Sequence, residues 1–234
     1  MKWDLVWTPT NLQRLFVGDL FTTGQPGGLL LTLIIGILAI ILATILGAMI
    51  GIMRASPRKA ISIPAFLYIQ LLRNVPLLIL IFWAYFIPPY LGYETSKFLS
   101  VTVALTLFTS AYLAEFLRGG ILAVPRTNVE AARALGLTPM QVQLWVVLPQ
   151  AFYSMIPGIT GRYIVTIKNT SLAFLIGLSE LTDIGRQINT RLMTSPIEVY
   201  ATLMVIYFVV NRGLSSFMRT LESRSRFNRL FLRL

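Results

Sequence analysis

The stretch LLLTLIIGILAIILATILGAMIGIM, Leu29 to Met53, contains no charged residue and no proline. A helix of about 20 mostly apolar residues crosses the hydrocarbon of a bilayer, so this run is long enough to span one. It makes the chain an all-α integral membrane protein. The run is not expected to be a cleaved leader, because it begins deep in the chain, exceeds the length of a leader's apolar region, and follows the uncharged Pro26-Gly27-Gly28. The rest of the chain agrees. Of 234 residues, 56% are hydrophobic and 12% charged, and mean hydropathy is +0.73, well outside the balance of a soluble domain.

Hydropathy places five crossings at about 28–53, 61–91, 98–118, 151–178 and 198–218. The second is interrupted by Arg73-Asn74-Val75-Pro76 and ends at Pro88-Pro89; the fourth contains Arg162 and Lys168. Such breaks persist in a membrane only where protein or water satisfies the freed backbone groups. With the N-terminus outside, the inner loops and tail collect Arg54, Arg58, Lys59, Arg118, Arg126, Arg133, Arg212, Arg219, Arg224, Arg226, Arg229 and Arg233. The outside then holds Lys2, Arg14, Lys97, Arg186 and Arg191. This bias predicts an N-out, C-in topology.

The net charge of +11 follows from those dispersed loops, and nucleic acid is not an expected partner. Cys and His are both absent, which excludes disulfides and thiolate metal sites and removes the commonest general base. One transmembrane domain is expected over 28–220. An extracytoplasmic or interfacial segment precedes it at 1–27, where WDLVWTPTNLQRLFVGDLF suits a helix lying in the outer interface beside the first span. A basic cytoplasmic tail follows at 221–234, suited to anionic lipid. Gly36, Gly47 and Gly51 in the first span offer small surfaces for close helix contact.

The loop from Gly119 to Gln150 is the least membrane-like part of the chain. Thr127 and Glu130 have capping-box spacing, predicting a helix from about Asn128. Ala131, Ala132 and Ala134 favour that helix, and Gly136 can end it in the left-handed conformation. Thr138-Pro139 then restarts the chain, with Thr as N-cap and Pro at the first helical position. A second short helix is predicted to run to about Val147, before Pro149.

Glu130-Ala131-Ala132, three residues, Gly136, nine residues, then Val146-x-Leu148-Pro149 resembles the signature loop of permease subunits of ATP-binding-cassette (ABC) importers. The resemblance continues through AYLAEFLRGGILAVP (Ala111–Pro125), IKNTSLAFLIGLSEL (Ile167–Leu181) and RNVPLL in the second span, and it points to the polar amino-acid uptake branch. It covers the chain from about Gly28 to Arg219.

The resemblance implies a type I importer permease fold whose loop 119–150 carries coupling helices that dock into a separate ATPase dimer. Glu130, Ala131, Ala132, Gly136, Leu137, Thr138, Pro139, Leu148 and Pro149 are then the coupling residues. Glu130 either caps its helix alone or also reaches the ATPase. This chain has no Gly-x4-Gly-Lys-Ser/Thr phosphate loop, so ATP and Mg would be bound by the partner, and the permease itself would be no enzyme. An extracytoplasmic amino-acid-binding protein would deliver substrate, a second permease subunit, identical or paralogous, would complete the passage, and the whole would work by alternating access in a bacterial inner membrane. The family usually has Gly-Gln shortly before Glu-Ala-Ala; Arg126-Thr127-Asn128 stands there in this chain.

Ionisable groups inside a membrane mostly face cavities or each other. Arg73, Glu115, Arg162 and Lys168, with Asn169-Thr170-Ser171, are the candidates for the substrate pathway. Glu115 would face an ammonium, while Arg73 or Lys168 and the Asn169 to Ser171 groups would receive carboxylates. Each also has a plainer role: Glu115 pairing with Arg118, Lys168 capping a helix end, Arg73 bonding carbonyls freed at Pro76. Many family members have Lys-Asp-Thr-Ser where this chain has Lys-Asn-Thr-Ser, so a neutral polar or acidic substrate such as glutamate, glutamine or aspartate is expected over a dibasic one. The alternatives are an ion-coupled secondary transporter, which would not need a capped docking loop, and an intramembrane enzyme, for which Glu115 and hydroxyl groups are a thin constellation.

Overall fold

In the computed structural model, residues 3–231 are described, with side chains through Thr220. Lys2 and Arg233 lie outside the described residues, as do the side chains of Arg224, Arg226 and Arg229. The N-terminal segment forms α1 (Trp3–Val6), α2 (Pro9–Val17) and α3 (Leu20–Thr23), with a two-residue antiparallel ladder pairing β1 (Gly18–Asp19) and β2 (Gln25–Pro26). Then come α4 (Gly28–Ala55), α5 (Lys59–Asn74), α6 (Leu77–Tyr90), α7 (Lys97–Leu122), α8 (Arg126–Ala134) and α9 (Pro139–Gln141). A π-helical turn (Val142–Val147) leads into α10 (Leu148–Asn169), and a 3₁₀ segment (Thr170–Ile176), α11 (Leu181–Leu192) and α12 (Pro196–Phe231) complete the chain.

Among the described residues, four helical stretches are long and apolar enough to cross a membrane: Gly28–Ala55, Lys97–Leu122, Pro139–Ile176 and Pro196–Thr220. The expected second crossing is a broken pair, α5 and α6, bent by 103°. The cause is local. Pro76 occupies the N-cap position of α6 with φ −57° and ψ 135°, and its ring drives Val75 out of the helical region. The fourth helix departs from expectation, since it runs unbroken from Pro139 instead of starting near Ala151.

Contacts divide the chain into two compact units. The first contains the described residues up to Ile41, with Val75–Thr106 and Ile164–Leu214. Its core joins Val6 and Leu15 to Leu181, Ile184, Ile188, Val199 and Leu203, and the Trp7 indole donates to Thr202 Oγ1 at 3.1 Å. The N-terminal segment, expected beside the first span, thus packs against α11 and α12 as part of this core. Phe16 and Phe21 remain exposed.

The second unit contains Leu42–Asn74, Leu107–Tyr163 and the described residues from Ser215. In it α4 and α7 approach closely: a Cβ at Gly47 would lie 2.8 Å from Leu113 Cβ, and one at Gly51 would lie 3.0 Å from the Ala114 carbonyl oxygen. The small-residue surface expected on the first span is therefore used within the chain. Tyr68 of α5 meets Ser110 of α7, hydroxyl to hydroxyl, at 2.7 Å.

Candidate functional site

The loop after α7 folds as two helical pieces around Gly136, with one correction at each end. The predicted Thr127–Glu130 capping box does not form. Pro125 takes the N-cap position with φ −57° and ψ 133°, and its carbonyl accepts the Asn128 N–H at 3.1 Å. Thr127 already lies inside the helix, where it lacks the extended backbone that a capping side chain needs. Glu130 is thereby released from capping and is exposed on α8.

The turn itself forms as predicted. Gly136 has φ +83°; its N–H donates to the Arg133 carbonyl at 2.9 Å, and the Leu137 N–H donates to the Ala132 carbonyl at 3.2 Å. These two bonds are the Schellman closure, which only a residue at ease in the left-handed region supports without strain. Thr138 caps α9 reciprocally with Gln141, a partner that sequence reasoning missed. Ala132 packs on Val142 and Val147, with Val129, Leu137 and Val146 beside them. On the outside of the turn Leu135 is 81% exposed and Met140 66%.

Pro149 does not end the second piece. The helix widens to i→i+5 bonding over Val142–Val147, so that the Leu148 N–H reaches the Gln143 carbonyl, and the chain continues into α10. The wider rung lies directly before the proline, whose missing N–H would leave an α-helical rung open.

Three of the candidate charges, Arg73, Glu115 and Arg162, fall within the second unit. Arg118 Nε donates to Glu115 Oε1 at 2.9 Å, so the plainer pairing of Glu115 is present. The Arg73 guanidinium lies 5.1 Å from the centre of the Tyr112 ring. Arg162, largely buried, lies 3.8 Å from the same ring centre and 4.7 Å from that of Phe108. Two arginines from α5 and α10 thus share one aromatic ring of α7, each drawn by the negative face of a ring.

Lys168 and Asn169-Thr170-Ser171 belong to the first unit. The Thr170 hydroxyl, fully buried, donates to the Ile167 carbonyl at 2.8 Å, and that of Ser171 to the Lys168 carbonyl at 2.8 Å. The two hydroxyls, expected to receive carboxylates, donate here to carbonyls at the end of α10. Lys97, not Lys168, bonds the end of the segment after α10, its Nζ donating to the Gly177 carbonyl at 2.9 Å.

Sequence reasoning missed Glu180, which stands between the fourth and fifth crossing helices and is 0% exposed. It caps α11, accepting the Asp183 N–H at 3.0 Å, and its other oxygen accepts the Tyr207 hydroxyl at 3.1 Å. Thr32 Oγ1 lies 3.4 Å from that oxygen and accepts the Leu181 N–H at 3.1 Å. Burial raises the Glu180 carboxyl from an ordinary 4.5 to about 7. The available signal was its rarity: one of nine acidic residues in the chain, placed directly before an amphipathic helix.

The chain matches the family described as binding-protein-dependent transport system inner membrane component over residues 43–227. It is 36% identical over 201 residues to the probable glutamine ABC transporter permease protein GlnP of Bacillus subtilis, covering 84% of this chain and 91% of that protein. To the glutamate/glutamine/aspartate/asparagine transport system permease protein BztC of Rhodobacter capsulatus it is 35% identical over 86% of its own length, spanning 48% of that protein. Its fold is similar to a chain in the crystal structure of an amino acid ABC transporter with histidines, with a TM-score of 0.79, 32% identity, and coverage of 84% of this chain and 92% of the other.

Proposed function

The chain belongs to the family of binding-protein-dependent transport system inner membrane components as an amino-acid ABC transporter permease, and from that premise we propose how it works. Such permeases are multi-pass membrane proteins that pass substrate on without chemistry, and an ATPase and a substrate-binding protein complete the transporter. In this chain the domain over 28–220 lies N-out, C-in in a bacterial inner membrane, between the segment 1–27 and the tail 221–234. It pairs with an identical or paralogous permease and passes glutamine, glutamate or aspartate inward by alternating access.

Loop 119–150 docks on the ATPase dimer, which binds ATP and Mg. The observation that carries this is the Schellman-closed turn at Gly136, which exposes Leu135 and Met140 beside the uncapped Glu130. Exposed apolar residues on a rigid polar turn suit a protein partner. Leu137, Thr138, Pro139, Leu148 and Pro149 shape the turn and its exit, while Ala131 and Ala132 keep α8 slim on both faces.

Arg73 and Arg162, gathered at Tyr112, supply the positive end of the substrate pathway and Glu115 its negative end. Lys168 and Asn169, with Thr170 and Ser171 bracing the backbone, form a second polar stretch. The test is affinity purification of the tagged chain from native membranes in mild detergent, with mass spectrometry of what stays bound. An ATPase with a phosphate loop should be recovered with the wild-type chain and lost with a Glu130→Ala, Gly136→Val double variant. Repeated recovery of a functional permease alone would overturn the proposal.

A further inference from the structure

The helix that carries the coupling turn into α10 has a weak place. Over Val142–Val147 it is π-helical, and directly after it Pro149 contributes no N–H. A rung with wider bonding followed by a rung with none is where a helix yields most easily. A displacement applied to the turn would be partly absorbed there instead of moving the shaft of α10.

α8 is attached on both sides of this joint. Before it the Schellman turn holds Leu137, and at the joint itself Ala132 packs on Val142 and Val147. Beyond it, Asn128 Nδ2 in the first turn of α8 donates to Gln150 Oε1, the residue after Pro149, at 2.8 Å. Both residues line a cleft of about 420 Å³, together with Pro125, Trp145, Pro149 and Tyr153. Gln150 also precedes Ala151, whose carbonyl would lie 2.7 Å from a Cβ at Gly120 of α7, so the strut ends where α10 is already seated on its neighbour.

We infer that Asn128 and Gln150 are positioning residues: a strut that carries displacement of the coupling turn past the π-helical joint into α10. The inference rests on the proposal that loop 119–150 docks on an ATPase. The strut needs a donor at 128 and an acceptor at 150, and a Lys–Glu pair supplies both. Asn128 is exposed, so its replacement leaves the core untouched.

The experiment uses the whole transporter in proteoliposomes, assembled from permease, ATPase and binding protein, with glutamine as the transported probe. Asn128→Ala and Gln150→Ala are compared with the paired variant Asn128→Lys, Gln150→Glu. Each alanine variant should keep the ATPase bound and hydrolysing ATP, while glutamine moved per ATP falls about three- to tenfold, the factor that one neutral hydrogen bond supplies. The paired variant should return the ratio to within about twofold of wild type. An unchanged ratio in the single variants, or a pair as impaired as either, overturns the strut alone. A wild-type permease that transports with no ATPase bound overturns the docking proposal and the strut with it.

Discussion

The unit around Glu180 and the unit around Gly136 use polar groups in opposite ways. In the first, Glu180, Asp183 and Arg14 are all buried: Glu180 accepts the Asp183 N–H, and Gln187 joins Asp183 to Arg14, donating to the one and accepting from the other at 2.7 Å in each case. In the second, Glu130, Arg133 and Thr138 are exposed, as are Leu135 and Met140. A buried network that finds its partners inside the chain fixes one arrangement of its helices. A rigid turn that leaves its side chains outside is shaped for something the chain does not contain.

The sharpest break of this contrast is Glu180→Ala. It strands the buried Asp183 N–H, leaves the Tyr207 hydroxyl to Thr182 and opens a void, so detergent-purified protein should lose about 2–4 kcal/mol of stability, seen as a lower thermal midpoint. Replacing Glu130 by Ala should leave that midpoint unchanged.

A pH series sharpens the same difference. The Glu180 carboxyl is raised to about 7 by burial, so its neutral form is the one the fold favours. The stability this contributes is fully present below the ordinary glutamate range and is lost as pH climbs through that range to about 7. The thermal midpoint should fall between pH 5 and pH 8, and Glu180→Gln should flatten the fall. An identical slope in the two proteins would exclude Glu180 as its source.

Gly136→Val acts in the other unit and on assembly. A β-branched residue at φ +83° costs roughly 1–2 kcal/mol and opens the Schellman closure. ATPase recovered in pull-downs should drop about tenfold while the permease still folds. The smallest effect is expected at Asn169. Asn169→Asp adds a negative charge beside Lys168, and competition assays should show uptake shifting severalfold toward dibasic amino acids, on the order of 1 kcal/mol. An unchanged profile would remove Asn169 from the pathway.

The features read correctly from sequence are those whose cause lies within a few residues. Proline at 76 breaks the second crossing wherever the chain goes, Gly136 accepts the left-handed turn, and Thr138-Pro139 caps the short helix after that turn. The errors in the loop after α7 were also local, but there two residues competed for one role. Pro125 lies two residues ahead of Thr127 and started the helix first, and the π-helical turn let the chain pass Pro149 without stopping.

Sequence alone determined that the chain is a membrane protein, where its apolar spans lie, and that a capped turn interrupts them, because hydropathy and backbone preference are properties of contiguous residues. Tertiary structure alone decided that Glu180 would be buried against Thr32 and Tyr207, that Arg73 and Arg162 would share the ring of Tyr112, and that Asn128 would reach Gln150. Each of those contacts joins segments far apart in the chain, and each takes its energy from desolvation and geometry that exist only once the helices have packed.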